Sequence, residues 1–99
     1  MARQYDVYRR PNGTLVVDVQ HTLLENLSTR VVVPLIQKAK GAPDSRSLNP
    51  SVSFDGKDYF FGTQFLATAT LAELGPNKGD IRHKRDEIIR ALDLLFTGF

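Results

Sequence analysis

The chain has 99 residues, of which 41% are hydrophobic and 24% are charged, a composition that predicts one folded domain over residues 1–99 and excludes a disordered chain. Thirteen Lys and Arg against eleven Asp and Glu leave a formal net charge of +2, which argues against a dedicated nucleic-acid-binding surface. The lack of cysteine excludes disulfide scaffolds, cysteine-ligated zinc and thiolate catalysis.

The N-terminal half of the sequence predicts antiparallel β-structure. Residues 5–8 and 14–20 alternate or are rich in β-branched side chains, and the Asn-Gly pair at 12–13 predicts a tight hairpin turn between them. Residues 31–36 predict a third strand. Pro34 cannot donate a ladder hydrogen bond, so we expect it at a sheet edge or a bulge.

The second half predicts further strands and then one helix. After a connection over 37–50, the Asp-Gly pair at 55–56 predicts a second hairpin. Alternating Thr and Ala favour a strand over 65–71, which a turn at 75–79 ends. Apolar residues at helical spacing between Asp80, a candidate N-cap, and Gly98 predict a helix of about fifteen residues. This order predicts an α+β, mainly β fold with a small, strongly curved sheet or barrel.

No membrane or secretory segment is expected. The opening residues MARQYDVYRR contain no apolar stretch, and no apolar run elsewhere is long enough to span a bilayer. We therefore expect a cytoplasmic protein without a membrane contact.

Candidate catalytic groups are few. The two histidines, His21 and His83, lack a metal-like spacing to a second ligand, so we expect a surface or helix-capping role for each. Asp18 lies between two valines of a predicted strand, which favours a solvated strand face or a structural hydrogen bond over catalysis. We therefore expect no catalytic residue, no metal and no cofactor.

The last residues of the sequence are unusually apolar. The segment 94–99 reads LLFTGF and places Phe99 beside the α-carboxylate, whereas chain ends are normally polar and frayed. Phe99 either packs into the core, which we favour, or anchors a partner. The residues alone thus predict a small β-rich domain that binds rather than catalyses.

Several segments together resemble a known family. They are YDVYRR at 5–10, LVVDVQ at 15–20, RVVVPL at 30–35, LNPSV at 48–52, and a C-terminal helix carrying His83, Ile88, Ala91, Leu94 and Phe96 before Gly98. In this order, over nearly the whole length, the sequence resembles the CcdB toxins of bacterial toxin–antitoxin modules.

The resemblance implies a fold and a function. The expected fold is an SH3-like barrel, shared by CcdB and MazF toxins, with a small side sheet and one C-terminal helix. The expected protein is a symmetric homodimer that binds the DNA gyrase A subunit and traps the cleaved DNA–gyrase complex. A CcdA-type antitoxin would neutralise it, and the pair would bind operator DNA and repress their operon. No catalytic residue, metal or cofactor is implied.

The resemblance also implies the gyrase-contact residues, which are Leu23, Leu24, Phe96, Gly98 and Phe99. Three positions depart from the family pattern. Thr97 stands in place of a Trp, Asp93 in place of an Asn, and Arg85 in place of an acidic residue. These departures predict a weakened or altered activity toward gyrase.

Two alternatives remain open on the same fold. A MazF-like endoribonuclease would need an acid/base pair and cationic groups at the scissile phosphate, for which Arg30, Arg46 or His21 are available. A decayed, non-toxic CcdB homologue would keep antitoxin binding and operon repression only.

Overall fold

The computed structural model of the chain describes residues 2–39 and 47–99. In these residues the strands are β1 (Asp6–Arg9), β2 (Leu15–Asp18), β3 (Thr29–Gln37), β4 (Ser51–Phe54), β5 (Lys57–Phe61), β6 (Ala67–Thr70) and β7 (Asn77–Asp80). The helices are α1 (Leu71–Leu74) and α2 (Arg85–Thr97), and short 3-10 turns cover Thr22–Leu24, Thr63–Phe65 and Arg82–Lys84.

The antiparallel sheet is organised around β3, its longest strand. Neighbouring strands follow the order β4-β5-β3-β2-β1-β7, and β6 pairs with the first half of β3. The second half of β3 pairs with β5, so the β4–β5 hairpin forms the small side sheet. Because β3 changes one neighbour along its length, the strands curl into a half-barrel.

Pro34 does not mark an edge strand, which was one of the two positions expected from the sequence. It lies inside β3, opposite Val16 of β2. The β6 pairing ends at Val32 and the β5 pairing begins at Leu35, so Pro34 falls where β3 exchanges neighbours. Its carbonyl still accepts a hydrogen bond from the Gly62 N–H at 2.9 Å. A central strand accommodates proline here because the missing N–H faces this exchange point.

Both predicted hairpins are confirmed, although the first turn is longer than expected. The Gly13 N–H donates to the Arg10 carbonyl at 2.8 Å, and the Arg10 N–H donates to the Thr14 carbonyl at 2.9 Å. This arrangement puts Pro11 at the second position of a four-residue turn, where its fixed φ fits. Both residues of the 55–56 turn have positive φ, as the tight type requires.

The core lies on both faces of the sheet because strand side chains alternate. Val7, Val17 and Val33 are cross-strand neighbours on one face and are fully buried. Ile88 and Ala91 of α2 are fully buried in the same cluster, so the helix covers this face. The other buried cluster consists of Ala2, Tyr8, Val16, Val32, Ala69 and Leu74.

The segment between β5 and α2 departs most from the sequence-based prediction. The strand expected over 65–71 shortens to β6 and passes into α1. The turn expected at 75–79 is largely strand β7, which pairs with β1 from the other end of the chain. Gly75 permits this path because its φ is +78° and an added Cβ would collide with the Arg9 carbonyl oxygen.

The C-terminal helix begins later than predicted. Asp80 is the last residue of β7 rather than the N-cap of α2, and its carboxylate accepts a hydrogen bond from the Arg82 N–H at 3.0 Å. The predicted end is confirmed, since Gly98 has a left-handed backbone with φ +83°. The α+β, mainly β class with a C-terminal helix is therefore confirmed. Within the described ranges, each helix is too short or too polar to cross a bilayer.

Candidate functional site

The end of α2 is fixed by local hydrogen bonds and by the buried half of the same helix. The Gly98 N–H donates to the Leu94 carbonyl at 3.1 Å and closes the last turn. The Thr97 hydroxyl donates to the Asp93 carbonyl at 2.6 Å. The helix is therefore regular to its last turn, which sets the direction of the side chains there.

Two aromatic residues at this end point into solvent. Phe96 is 69% exposed and Phe99 is 91% exposed. The prediction that Phe99 packs into the core is therefore wrong, because the left-handed Gly98 ends the helix and leaves Phe99 in solvent. Burying a Phe side chain contributes roughly 1.5–3 kcal/mol, so two exposed rings are typical of a partner-binding surface. We refer to Phe96–Phe99 as the aromatic end.

A second exposed apolar surface lies on residues 21–27, the leucine loop. Leu23 is 85% exposed and Leu24 is 49% exposed. Both belong to the 3-10 turn that follows β2. The His21 Nδ1 atom accepts a hydrogen bond from the Leu23 N–H at 3.0 Å. His21 therefore caps this turn, and capping was one of the two roles that the sequence predicted for it.

A buried ion pair lies beneath the leucine loop. The Arg30 Nε atom donates to the Asp18 carboxylate at 2.8 Å, and both side chains are fully buried. The same guanidinium contacts the carbonyls of Gln20 at 3.3 Å and Leu24 at 3.4 Å, and the Gln20 side chain donates to the Leu24 carbonyl at 3.0 Å. The loop backbone is thus tied to the interior of the sheet.

The sequence predicted two alternative roles for Asp18, a solvated strand face and a structural hydrogen bond. The first role is wrong because the side chain is fully buried, and the second is confirmed. Burial raises the pKa of the Asp18 carboxyl, and the bonds from Arg30 and the Gln20 N–H oppose this rise. The carboxylate is therefore a structural partner of the arginine and is closed to solvent.

The leucine loop and the aromatic end do not form one patch on a single chain. Thr22, next to Leu23, lines the same surface cavity as Arg85, the first residue of α2. Phe96 follows 11 residues later in this helix (from 85 to 96), about 16 Å further along the axis. Of the three departures from the family pattern, Arg85 lies near the loop, and the other two lie near the aromatic end.

The residues considered for catalysis are engaged elsewhere. Arg30 is buried in its ion pair and His21 caps the 3-10 turn, while Arg46 lies outside the described residues. In the part of the chain that the structure describes, no three His, Asp or Glu side chains come together as a metal site.

Comparison with known proteins gives the family. A family model described as CcdB protein matches residues 4–98. The chain belongs to the CcdB family. It is therefore a toxin of the type II toxin–antitoxin class, and the resemblance read from the sequence is confirmed.

The fold of this CcdB-family toxin also occurs in a solved endoribonuclease from a mycobacterial species. The two structures superpose with a TM-score of 0.77 over 93% of this chain and 88% of the other, at 17% sequence identity. At that identity the likeness shows the fold alone. It confirms the predicted fold class, the barrel-like β-sheet shared by CcdB and MazF toxins.

Sequence reasoning missed two features of this CcdB-family surface. Leu27 is 50% exposed and extends the leucine loop; an apolar residue within a polar segment was a usable signal. The cavity beside the loop is lined by Arg3, Gln4, Tyr5, Thr22, Arg82 and Arg85. No spacing rule could find it, because its residues come from three separate parts of the chain.

Proposed function

We propose that this CcdB-family toxin binds the DNA gyrase A subunit and traps the cleaved DNA–gyrase complex. The proposed contact residues are Leu23, Leu24, Phe96, Gly98 and Phe99. The single observation that carries this proposal is the exposure of Phe96 and Phe99 at the end of a helix whose other face is buried. Exposed aromatic anchors on a rigid element are the usual centre of a protein interface.

We propose that residues 1–99 form a single toxin domain and that two copies of this domain form a symmetric homodimer. Arg85, which shares a cavity with Thr22 of the leucine loop, is about 16 Å from Phe96 along the axis of α2. A two-fold axis near the aromatic end would place both copies of that end together. A CcdA-type antitoxin would bind the dimer and neutralise it. Operator DNA would be bound only by toxin and antitoxin together.

Thr97 bears on the strength of the proposed contact. A Trp side chain buries up to about 250 Å², and Thr supplies only a small part of that area. The change removes about 2–4 kcal/mol of binding free energy if the position is central, or roughly 30- to 1,000-fold in affinity. In addition, the Thr97 hydroxyl is bonded to its own helix. We therefore propose weaker or altered gyrase poisoning.

The endoribonuclease alternative is favoured by the similarity of fold. Phosphodiester cleavage requires accessible cations and a general acid or base near the phosphate. Arg30 is fully buried, and one ring nitrogen of His21 already accepts a hydrogen bond. Both observations argue against these two residues as catalytic groups for RNA cleavage. It therefore stays second to gyrase binding.

The test is a DNA cleavage assay with purified toxin, purified gyrase and supercoiled plasmid. We expect linear DNA after denaturation of the complex. Phe96→Ala and Leu24→Ala should reduce the yield strongly. Phe65→Ala and Leu71→Ala are matched controls, since these side chains are 57% and 47% exposed elsewhere on the surface, and both should behave as the wild type.

Other outcomes would select an alternative. Cleavage of naked RNA by the toxin alone, with no effect on gyrase, would favour the endoribonuclease. Survival of cells that express the toxin without antitoxin, together with an intact antitoxin complex, would favour the decayed homologue.

A further inference from the structure

The cavity between the leucine loop and the start of α2 has a cationic lining. Its volume is about 230 Å³, and it is lined by Arg3, Gln4, Tyr5, Thr22, Arg82 and Arg85. Every charged residue of the lining is an arginine, and the other three offer amide, phenol and hydroxyl groups. Guanidinium groups donate paired hydrogen bonds to planar anions, so this lining is suited to a carboxylate.

The three arginines differ in how strongly they are held. Arg82 is fixed by two carboxylates, each at 2.9 Å. Arg85 pairs with Asp86 at 3.2 Å, but the two side chains are 62% and 81% exposed, so this contact contributes little in water. Arg3 is exposed and forms no ion pair with any residue that the structure describes. Arg3 and Arg85 are therefore available to an external anion.

Tyr5 forms the inner wall of the cavity. Its backbone has φ +73°, in the left-handed region, and the residue is only 6% exposed. Burial raises the pKa of the Tyr5 phenol, while the Arg85 guanidinium partly opposes the rise. The phenol is thus protonated at neutral pH, and Tyr5 and Arg85 belong to the same lining.

We propose that this cavity receives an aspartate or glutamate side chain of the gyrase A subunit, which binds between Arg3 and Arg85 when gyrase docks on the leucine loop. This inference rests on the proposed function. Thr22 lines the cavity and is adjacent to Leu23, so a partner that covers the loop also covers the mouth of the cavity. Removal of water from the mouth strengthens the new ion pairs.

A single carboxylate fits this cavity better than a nucleic-acid backbone. Asp6 and Asp80 pair with Arg82, and Asp86 lies beside Arg85, so three carboxylates next to the cavity would repel a chain of phosphates. The net charge of +2 also falls short of the extended basic surface that duplex binding requires. The neighbouring apolar loop suits a protein partner.

The experiment compares a double charge reversal with a matched control. Arg3→Glu/Arg85→Glu places two acidic groups at the cavity, and Arg9→Glu/Lys57→Glu makes the same charge change at exposed positions outside it. We expect the first variant to bind gyrase at least about tenfold more weakly, with a smaller salt dependence than the wild type. The control should bind within about twofold of the wild type, and both should keep the wild-type melting temperature.

A crosslink identifies the partner group. Carbodiimide treatment of the gyrase complex formed by Arg85→Lys should join the new amine to an Asp or Glu of the A subunit, whereas Arg9→Lys should give no such product. Equal gyrase binding by both charge-reversal variants, or no crosslink in a formed complex, would overturn the inference alone. A wild type that never binds gyrase would overturn the proposed function and this partner with it. Reduced duplex DNA binding by Arg3→Glu/Arg85→Glu, with unchanged gyrase binding, would assign the cavity to phosphate instead.

Discussion

The leucine loop and the aromatic end both expose large apolar side chains, but they are held by different means. The loop depends on Asp18 and Arg30, which are 12 positions apart along the chain and meet at 2.8 Å in the interior. The aromatic end depends on bonds within one helical turn, at Gly98 and Thr97. Damage to the interior should therefore displace the loop, whereas the aromatic end can be altered with little effect on folding.

The buried pair beneath the leucine loop contributes to the stability of the fold, whereas the exposed rings of the aromatic end are proposed to contribute to binding. A buried ion pair is costly to break because removal of one partner leaves an uncompensated charge. An exposed ring contributes little to the free energy of unfolding and becomes important when a partner covers it. Mutation of the buried pair should therefore change stability, and mutation of the exposed rings should change binding.

The largest effect is expected from Arg30→Met, which leaves the Asp18 carboxylate buried without its partner. We expect the free energy of unfolding to fall by about 3–5 kcal/mol in urea titrations. Asp86→Asn removes an exposed ion pair and is the control, with a change below about 1 kcal/mol. Asp18→Leu combined with Arg30→Met should recover much of the loss. Wild-type stability in Arg30→Met would show that the pair does not support the loop.

Thr97→Trp acts on the aromatic end and should change binding rather than stability. The added area should strengthen binding to the gyrase recognised by other CcdB toxins by about 2–4 kcal/mol if the position is central. Thr68→Trp adds the same side chain at an exposed position of β6 and should leave binding unchanged. Isothermal titration with the A subunit measures both. A Thr97→Trp protein that still does not bind would mean that the target differs.

Tyr8→Phe tests another buried polar side chain. Unlike Asp18 and Arg30, the Tyr8 phenol carries no charge at neutral pH. Burial, with the nearby Asp6 carboxylate, raises the pKa of Tyr8 to about 12. The unfolded chain loses this proton near pH 10 and the folded chain does not, so stability falls as pH rises from about 10 to 12, by up to about 2.7 kcal/mol. Urea titrations at pH 8 and above should show a smaller fall in Tyr8→Phe than in the wild type, and the part that remains comes from Tyr5, whose pKa burial also raises. Parallel curves would contradict the raised pKa.

The smallest effect on folding is expected from deletion of residues 97–99. The free energy of unfolding should change by less than about 1 kcal/mol, because these residues are exposed. Gyrase-dependent DNA cleavage should nevertheless be lost. Thermal unfolding and the cleavage assay, run on the same preparation, measure both properties. A truncated chain that unfolds would place the aromatic end among the structural elements.

Local sequence patterns predicted the parts of the fold that depend on neighbouring residues. The two hairpins, the end of α2 at Gly98 and the capping role of His21 were all predictable, since turn and cap chemistry acts over a few positions. The prediction failed at β7, where four exposed residues form a strand because β1 supplies their partner.

The candidate site divides in the same way. The family resemblance, read from the sequence alone, named Leu23 and Leu24 of the leucine loop and Phe96, Gly98 and Phe99 of the aromatic end. Tertiary structure decided that Phe99 is exposed, that Asp18 and Arg30 are a buried pair, and that arginines from positions 3, 82 and 85 line one cavity. The physical reason is that turns and helix ends are governed by contacts within a few residues. Burial, ion pairing and cavities depend on which distant strands the sheet brings together.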